Sequence, residues 1–97
     1  MIVSGGAPLS QLVFDFLKEL FQAPIIECYG ATECCGGLTC TFAWEKTAGL
    51  VGGPLACVKM KLVDRPDLGY LTTDEPPRGE LYVKGNSVFK GYFRRPD

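Results

Sequence analysis

From Leu9 onward, the apolar positions Leu12, Val13, Phe16, Leu17, Leu20 and Phe21 recur at three- and four-residue intervals, the period of one helix face. Pro8 precedes the run, where a missing N–H costs nothing, and Pro24 stops it. Asp15, Lys18, Glu19 and Gln22 take the other side. With Leu9 the stripe holds seven apolar side chains, each gaining about 1.5 to 3 kcal/mol on burial, so it requires an apolar partner, most naturally a sheet. Short β-rich runs flank it, Ile2-Val3-Ser4 before and Ile25–Tyr29 after, which predicts strand, helix, strand with the strands parallel.

The second half changes character. A β-rich segment begins near Leu38, and no helical period returns. Val58–Val63 alternates apolar and polar residues up to its last position, and Asp64-Arg65-Pro66-Asp67 turns it. After the polar loop Asp74-Glu75-Pro76-Pro77, Glu80–Lys84 repeats the alternation, and the economical pairing is antiparallel. The expected organisation is therefore an α/β fold: a βαβ unit over 1–37 that carries the candidate binding loops, followed by a β-rich, barrel-like antiparallel segment over 38–97. The opening run of about three residues is shorter than an ordinary strand, and the chain stops at Arg94-Arg95-Pro96-Asp97 without a cap. A piece cut at both ends is the expectation.

Composition narrows the function classes. A chain of 97 residues, 46% hydrophobic and 22% charged, has material for one modest core. Ten basic and eleven acidic residues leave a net charge of -1, no footprint for nucleic acid, and no nucleic-acid partner is expected. No apolar run approaches the roughly 18 residues of a membrane span, and Met1-Ile2-Val3 leads into glycines rather than a signal core, so the chain reads as soluble and unexported. The five cysteines are an odd set with Cys34 and Cys35 adjacent, so a disulfide framework is not expected and a reducing compartment is. Zinc would need four thiolates from irregular spacings. Without histidine, Ser-His-Asp and Cys-His relays are excluded within this chain.

In a right-handed βαβ unit the loops after both strands face one crevice, the usual ligand position of an open parallel sheet. Here they are Ser4-Gly5-Gly6-Ala7-Pro8 and Gly30-Ala31-Thr32-Glu33. The first is small enough for backbone to approach a flat ligand and it precedes a helix start. The second sets the Thr32 hydroxyl, a donor to a phosphate oxygen, beside the Glu33 carboxylate, an oxygen ligand for magnesium. Tyr29 offers an aromatic face to a base. Each feature also has a plain reading: a strand-to-helix turn, a surface turn, and a core tyrosine with a satisfied hydroxyl. Neither Gly-x-Gly-x-x-Gly nor Gly-x-x-x-x-Gly-Lys-Ser/Thr occurs.

Ser4-Gly5-Gly6-Ala7-Pro8-Leu9, a helix, and Glu27-Cys28-Tyr29-Gly30-Ala31-Thr32-Glu33, in that order, resemble the adenylate-forming enzymes, whose defining motifs include Tyr-Gly-x-Thr-Glu. Trp44–Leu55, Met60–Asp64, Gly79–Gly85 and Val88–Phe93 extend the likeness across essentially the whole chain, to long-chain acyl-CoA synthetases of eukaryotic type. The resemblance implies an incomplete internal piece of a larger adenylate-forming domain. It also implies an ATP-dependent long-chain fatty acid–CoA ligase, with fatty acid, ATP and CoA as substrates, magnesium as cofactor and CoA as co-substrate. By the same resemblance, Gly6, Ala7 and Pro8 line the adenine pocket and Tyr29 packs on the base. Gly30 and Ala31 lie where adenylate meets the acyl chain, Thr32 contacts phosphate, and Glu33 binds magnesium.

The family's phosphate loop, its ribose-binding aspartate and its mobile C-terminal domain with the catalytic lysine have no counterpart here. The piece alone is expected to be inactive, with a helix stripe and sheet edges left uncovered and prone to self-association. The resemblance further implies a cytoplasmic location, or attachment of the full enzyme to the cytosolic face of organelle membranes. A non-catalytic interaction module, or a ligase for another carboxylic acid, are the alternatives. Cys34-Cys35 has no mechanistic account.

Overall fold

The first three elements are β1 (Ile2–Gly5), α1 (Gln11–Phe21) and β2 (Ile25–Ala31), seen in a computed structural model that describes residues 1–95. The expected uncapped ending involves Pro96 and Asp97, which lie outside the described residues. β1 and β2 pair in parallel from Ile2–Ile25 to Gly5–Cys28, which is the expected βαβ unit. The helix begins after Leu9 because Ser10 is extended and its Oγ accepts from the Val13 amide at 3.4 Å, a side-chain N-cap. It ends where Gln22 turns left-handed and donates its N–H to the Lys18 carbonyl.

β2 continues into a single 3-10 turn, Thr32–Cys34, and the chain reverses through Cys35 and Gly36, both at positive φ. β3 (Gly36–Cys40) returns antiparallel to β2, and β4 (Gly53–Pro54) pairs antiparallel with β3. The result is an open mixed sheet in the order β1-β2-β3-β4, with strands drawn from both sides of residue 37. β5 (Val58–Val63) and β6 (Glu80–Gly85) form the expected antiparallel pair, in unbroken register from Val58–Gly85 to Val63–Glu80. Val58 joins Cys34 and Leu38 in one apolar cluster, flanked by Ala31, Leu55, Met60 and Val83, and this cluster seats the hairpin on the first sheet. Among the described residues no helix is long and apolar enough to cross a membrane.

Two expectations are corrected. The helical stripe does not pack on the sheet as a whole: Leu12, Phe16 and Leu20 are 81%, 61% and 58% exposed, whereas Phe14, outside the stripe, is buried to 1%. The partnered face is Gln11, Phe14 and Lys18, spaced i, i+3, i+7. Gln11 binds Lys46 and Ala48, the Lys18 ammonium reaches the Glu45 carbonyl at 3.1 Å, and it also lies over the Phe14 ring. The chain thus covers the polar flank of α1 and leaves its apolar stripe open, as expected for a piece of a larger domain. The second correction concerns the thiols. Cys28 and Cys40 are direct cross-strand partners of β2 and β3, with Cα atoms 4.2 Å apart, and they are joined as a disulfide. An odd cysteine count and one adjacent pair carried no information about this register. Cys34, Cys35 and Cys57 are free.

Candidate functional site

β1 and β2 run in parallel, so the loops that follow them emerge at the same sheet end. Gly6 turns the chain out of β1 at φ +86, a conformation that side chains disfavour. Gly30 sits at the β2–β3 bulge, where a Cβ would overlap the Gly36 carbonyl. Two adjoining concavities result. One, of about 310 Å³, has Gly6, Ala7 and Pro8 facing Tyr29 and Gly30, with Gly49 and Val51 completing the wall. The other, an open groove of about 510 Å³, shares Gly6, Tyr29 and Gly30 and continues to Ala31 and Thr32. Gly6, Ala7, Pro8, Tyr29, Gly30, Ala31 and Thr32 therefore line two adjoining concavities, with Gly6, Tyr29 and Gly30 shared between them. Tyr29 is 41% exposed in this chain.

Glu33 lies beyond these linings, in the 3-10 turn, and a different segment fixes it. The Tyr92 phenol donates to its Oε1 at 2.6 Å, and the Phe89 amide donates to its carbonyl at 2.9 Å. The Tyr92 ring also meets Phe89 edge-on, with centroids 4.9 Å apart. The phenol's hydrogen bond holds the Glu33 carboxyl below the ordinary glutamate range and pushes the Tyr92 phenol up. Glu33 is thus a carboxylate at neutral pH. No cluster of three or more acidic or thiol ligands exists among the described residues. One ionised, solvent-facing carboxylate still fits magnesium, which keeps several waters and takes one or two carboxylates together with substrate phosphates.

Glu27 was missed by the sequence reading as a functional candidate. Its side chain is 4% exposed, yet both carboxylate oxygens accept backbone hydrogen bonds, Oε1 from Gly49 at 2.7 Å and Oε2 from Leu9 at 3.3 Å. Its own backbone N–H donates to Thr41 Oγ1 at 3.0 Å, and its carbonyl accepts from the Thr41 amide. The available signal was a lone acid inside the apolar run Ile25-Ile26-Glu27-Cys28-Tyr29. Gly49, Val51 and Tyr92 carried no comparable signal, because only the fold brings the first two to the crevice and the third to Glu33.

The sequence model of the AMP-binding enzyme family matches residues 1–93. Fatty acyl-CoA synthetase A of Dictyostelium discoideum is 42% identical over 99% of this chain and 14% of its own length. Long-chain-fatty-acid–CoA ligase 6 of Rattus norvegicus is 45% identical over 100% of this chain and 14% of its own. Among solved structures, the A domain of a carboxylic acid reductase from Segniliparus rugosus, in complex with AMP and a co-purified carboxylic acid, superposes with TM-score 0.75. It is 34% identical and covers 99% of this chain and 14% of its own. o-Succinylbenzoate coenzyme A synthetase of Bacillus subtilis, in complex with ATP and magnesium ion, gives TM-score 0.70 at 27% identity, over 97% of this chain and 19% of its own. The chain therefore spans about one seventh of the curated relatives it matches. With a family match across nearly its whole length and a mixed open sheet shared with solved adenylation domains, the chain belongs to the AMP-binding enzymes.

Proposed function

We propose that this chain is the nucleotide-handling segment of an ATP-dependent long-chain fatty acid–CoA ligase. The carrying observation is that the Gly6-Ala7-Pro8 loop and the chain from Tyr29 to Thr32 line two adjoining concavities that share Gly6, Tyr29 and Gly30, with Glu33 next in the turn after Thr32. In this reading Gly6, Ala7 and Pro8 form one wall of the base site, and Tyr29 presents its ring from the other. Gly30, which lacks a side chain, and Ala31, with a small one, leave room where the acyl adenylate lies. The Thr32 hydroxyl donates to a phosphate oxygen, and the Glu33 carboxylate holds magnesium. The names of the relatives, fatty acyl-CoA synthetase and long-chain-fatty-acid–CoA ligase, support the choice of acid.

The reaction is a pair of displacements. A carboxylate oxygen of the fatty acid attacks the α-phosphorus of ATP, the bond to the bridging oxygen breaks, and pyrophosphate leaves. The CoA thiolate then attacks the acyl carbon and AMP leaves with the bonding electrons. Bound magnesium offsets the triphosphate charge during the first displacement. The chain's own contribution is positional: backbone walls that exclude water from the base, one hydroxyl and one fixed carboxylate. The phosphate loop, the ribose-binding aspartate, the catalytic lysine and attachment to the cytosolic face of organelle membranes belong, in this reading, to the longer enzyme.

The test is a panel of acids offered to the longer enzyme that carries this segment, read as AMP and acyl-CoA formation. Long-chain fatty acids are expected to be turned over and aryl or amino acids not. Turnover of aryl acids alone would move the substrate assignment elsewhere in the family, and formation of no acyl-CoA from any acid would overturn the ligase reading.

A further inference from the structure

Cys28 stands in the wall of both concavities, and a covalent bond ties it to another strand. Its partner Cys40 is its direct opposite on β3, with Cα atoms 4.2 Å apart. Directly after this pair the ladder slips: Tyr29 faces Thr39, but Gly30 faces Gly37. The disulfide therefore fastens β2 to β3 just before the bulge, beyond which Gly30, Ala31 and Thr32 line the groove. On its other side the strands are held independently, by the Thr41 amide donating to the Glu27 carbonyl at 2.9 Å and the Glu27 amide donating to Thr41 Oγ1 at 3.0 Å. Opening the S–S bond thus leaves the sheet paired and loosens the groove side. The register also makes the pair selective. Cys34 is sealed in the apolar cluster, Cys35 sits in the turn at positive φ, and Cys57 is exposed just before β5, so none of these has a thiol directly across a ladder.

We propose that Cys28 and Cys40 form a reversible thiol–disulfide site in the crevice wall, exchanging with low-molecular-weight disulfides and thiols, and that the disulfide state is the one that favours ATP. The effect on ATP rests on the nucleotide reading above; the exchange itself does not. Both cysteines are half-buried and the groove opens beside Cys28, so a small sulfur compound reaches the pair. In the oxidising direction the thiolate of one cysteine attacks a sulfur of the small disulfide, whose S–S bond breaks and releases one small thiolate. The thiolate of the other cysteine then attacks the protein sulfur of this mixed disulfide, the Cys28–Cys40 bond forms, and the second small thiolate leaves. Two protein thiols are oxidised, one small disulfide is reduced to two thiols, and the two cysteine protons end on the released thiolates. With the bond closed, the β2 backbone next to Tyr29 is pinned in the position that shapes the two concavities. With it open, that stretch samples other positions, and ATP must select among them.

The test equilibrates the longer enzyme carrying this segment in graded mixtures of reduced and oxidised glutathione, with and without saturating ATP, and reads the pair by thiol labelling and peptide mass spectrometry. Calorimetry of the two end states is expected to give a dissociation constant for ATP about fivefold weaker after reduction. By linkage, ATP then makes the disulfide harder to reduce, shifting its equilibrium with glutathione by the same factor, an effect that a bond merely bracing the fold does not produce. Replacing both cysteines, Cys28→Ser with Cys40→Ser, is expected to fix ATP affinity at the reduced value and abolish the response, whereas Cys57→Ser leaves both intact. A pair that stays reduced, or stays oxidised, across the whole range in the folded enzyme overturns the proposal, as does equal ATP affinity in the two states. Wild-type enzyme that binds no ATP in either state overturns the nucleotide reading and with it the coupling, while the labelling still decides the exchange. The glutathione titration needs no variant, so the proposal stands or falls on wild-type protein even where the serine pair does not fold.

Discussion

The phenol of Tyr92 donates to Oε1 of Glu33 at 2.6 Å, tying the segment after β6 to the turn after β2 across 59 positions of sequence. Both groups titrate against this bond in a known direction. The Glu33 carboxyl lies below its ordinary value, so the contribution is present above the unfolded carboxyl pKa and is lost as pH falls through the folded one. The Tyr92 phenol lies above its ordinary value, so its share is present below the unfolded phenol pKa and is lost as pH rises through the folded one. In Tyr92→Phe the Glu33 titration, followed by carboxyl carbon NMR, is expected to move up toward that of a free glutamate. An unmoved midpoint would contradict the contact.

The two faces of α1 predict opposite outcomes. Phe14→Ala removes a sealed aromatic ring and is expected to cost about 3 to 5 kcal/mol in urea denaturation. Phe16→Lys and Leu20→Lys change side chains that are 61% and 58% exposed, so in the isolated chain they are expected to leave stability nearly unchanged and to reduce self-association in light scattering. In the longer enzyme the same lysines meet whatever packs on the stripe and are expected to lower its melting temperature. Equal effects in both contexts would mean that the stripe has no partner.

Gly30→Ala introduces a Cβ into the space of the Gly36 carbonyl, and the β2–β3 bulge must open. A loss of about 1 to 3 kcal/mol is expected. Gly53→Ala is the control, because a Cβ there meets nothing within 4 Å, and its effect is expected to stay within about 0.5 kcal/mol. Comparable losses at both positions would contradict the close approach at Gly30.

The parts of the fold that rest on local periodicity were legible. The run from Leu12 to Phe21 announced α1, and alternation in Val58–Val63 and Glu80–Lys84 announced β5 and β6 together with their pairing. That the loops Ser4–Pro8 and Gly30–Glu33 leave the same sheet end was legible too, because parallel strands of a βαβ unit place them there whatever the surrounding residues, whereas the position of Glu33 outside both concavities was not. What packs on α1 was not legible: period says which side chains share a face, not which face finds a partner, and the partner of Phe14's face came from a polar stretch near Glu45–Ala48. The Cys28–Cys40 pairing depended on the register of β3, set by the turn at Cys35-Gly36. Glu27 was hidden because its partners are backbone amides, and any residue at Leu9 or Gly49 would offer the same N–H.

Glu33 carries the central claim, since the ligase reading requires its carboxylate at the magnesium and places no other acid there. The direct measurement is exchange of labelled pyrophosphate into ATP by the longer enzyme, with and without a long-chain fatty acid, for wild type and Glu33→Gln. The account predicts exchange that requires both fatty acid and magnesium in the wild type, and a loss of at least about a hundredfold in the variant. Normal exchange by Glu33→Gln would contradict it.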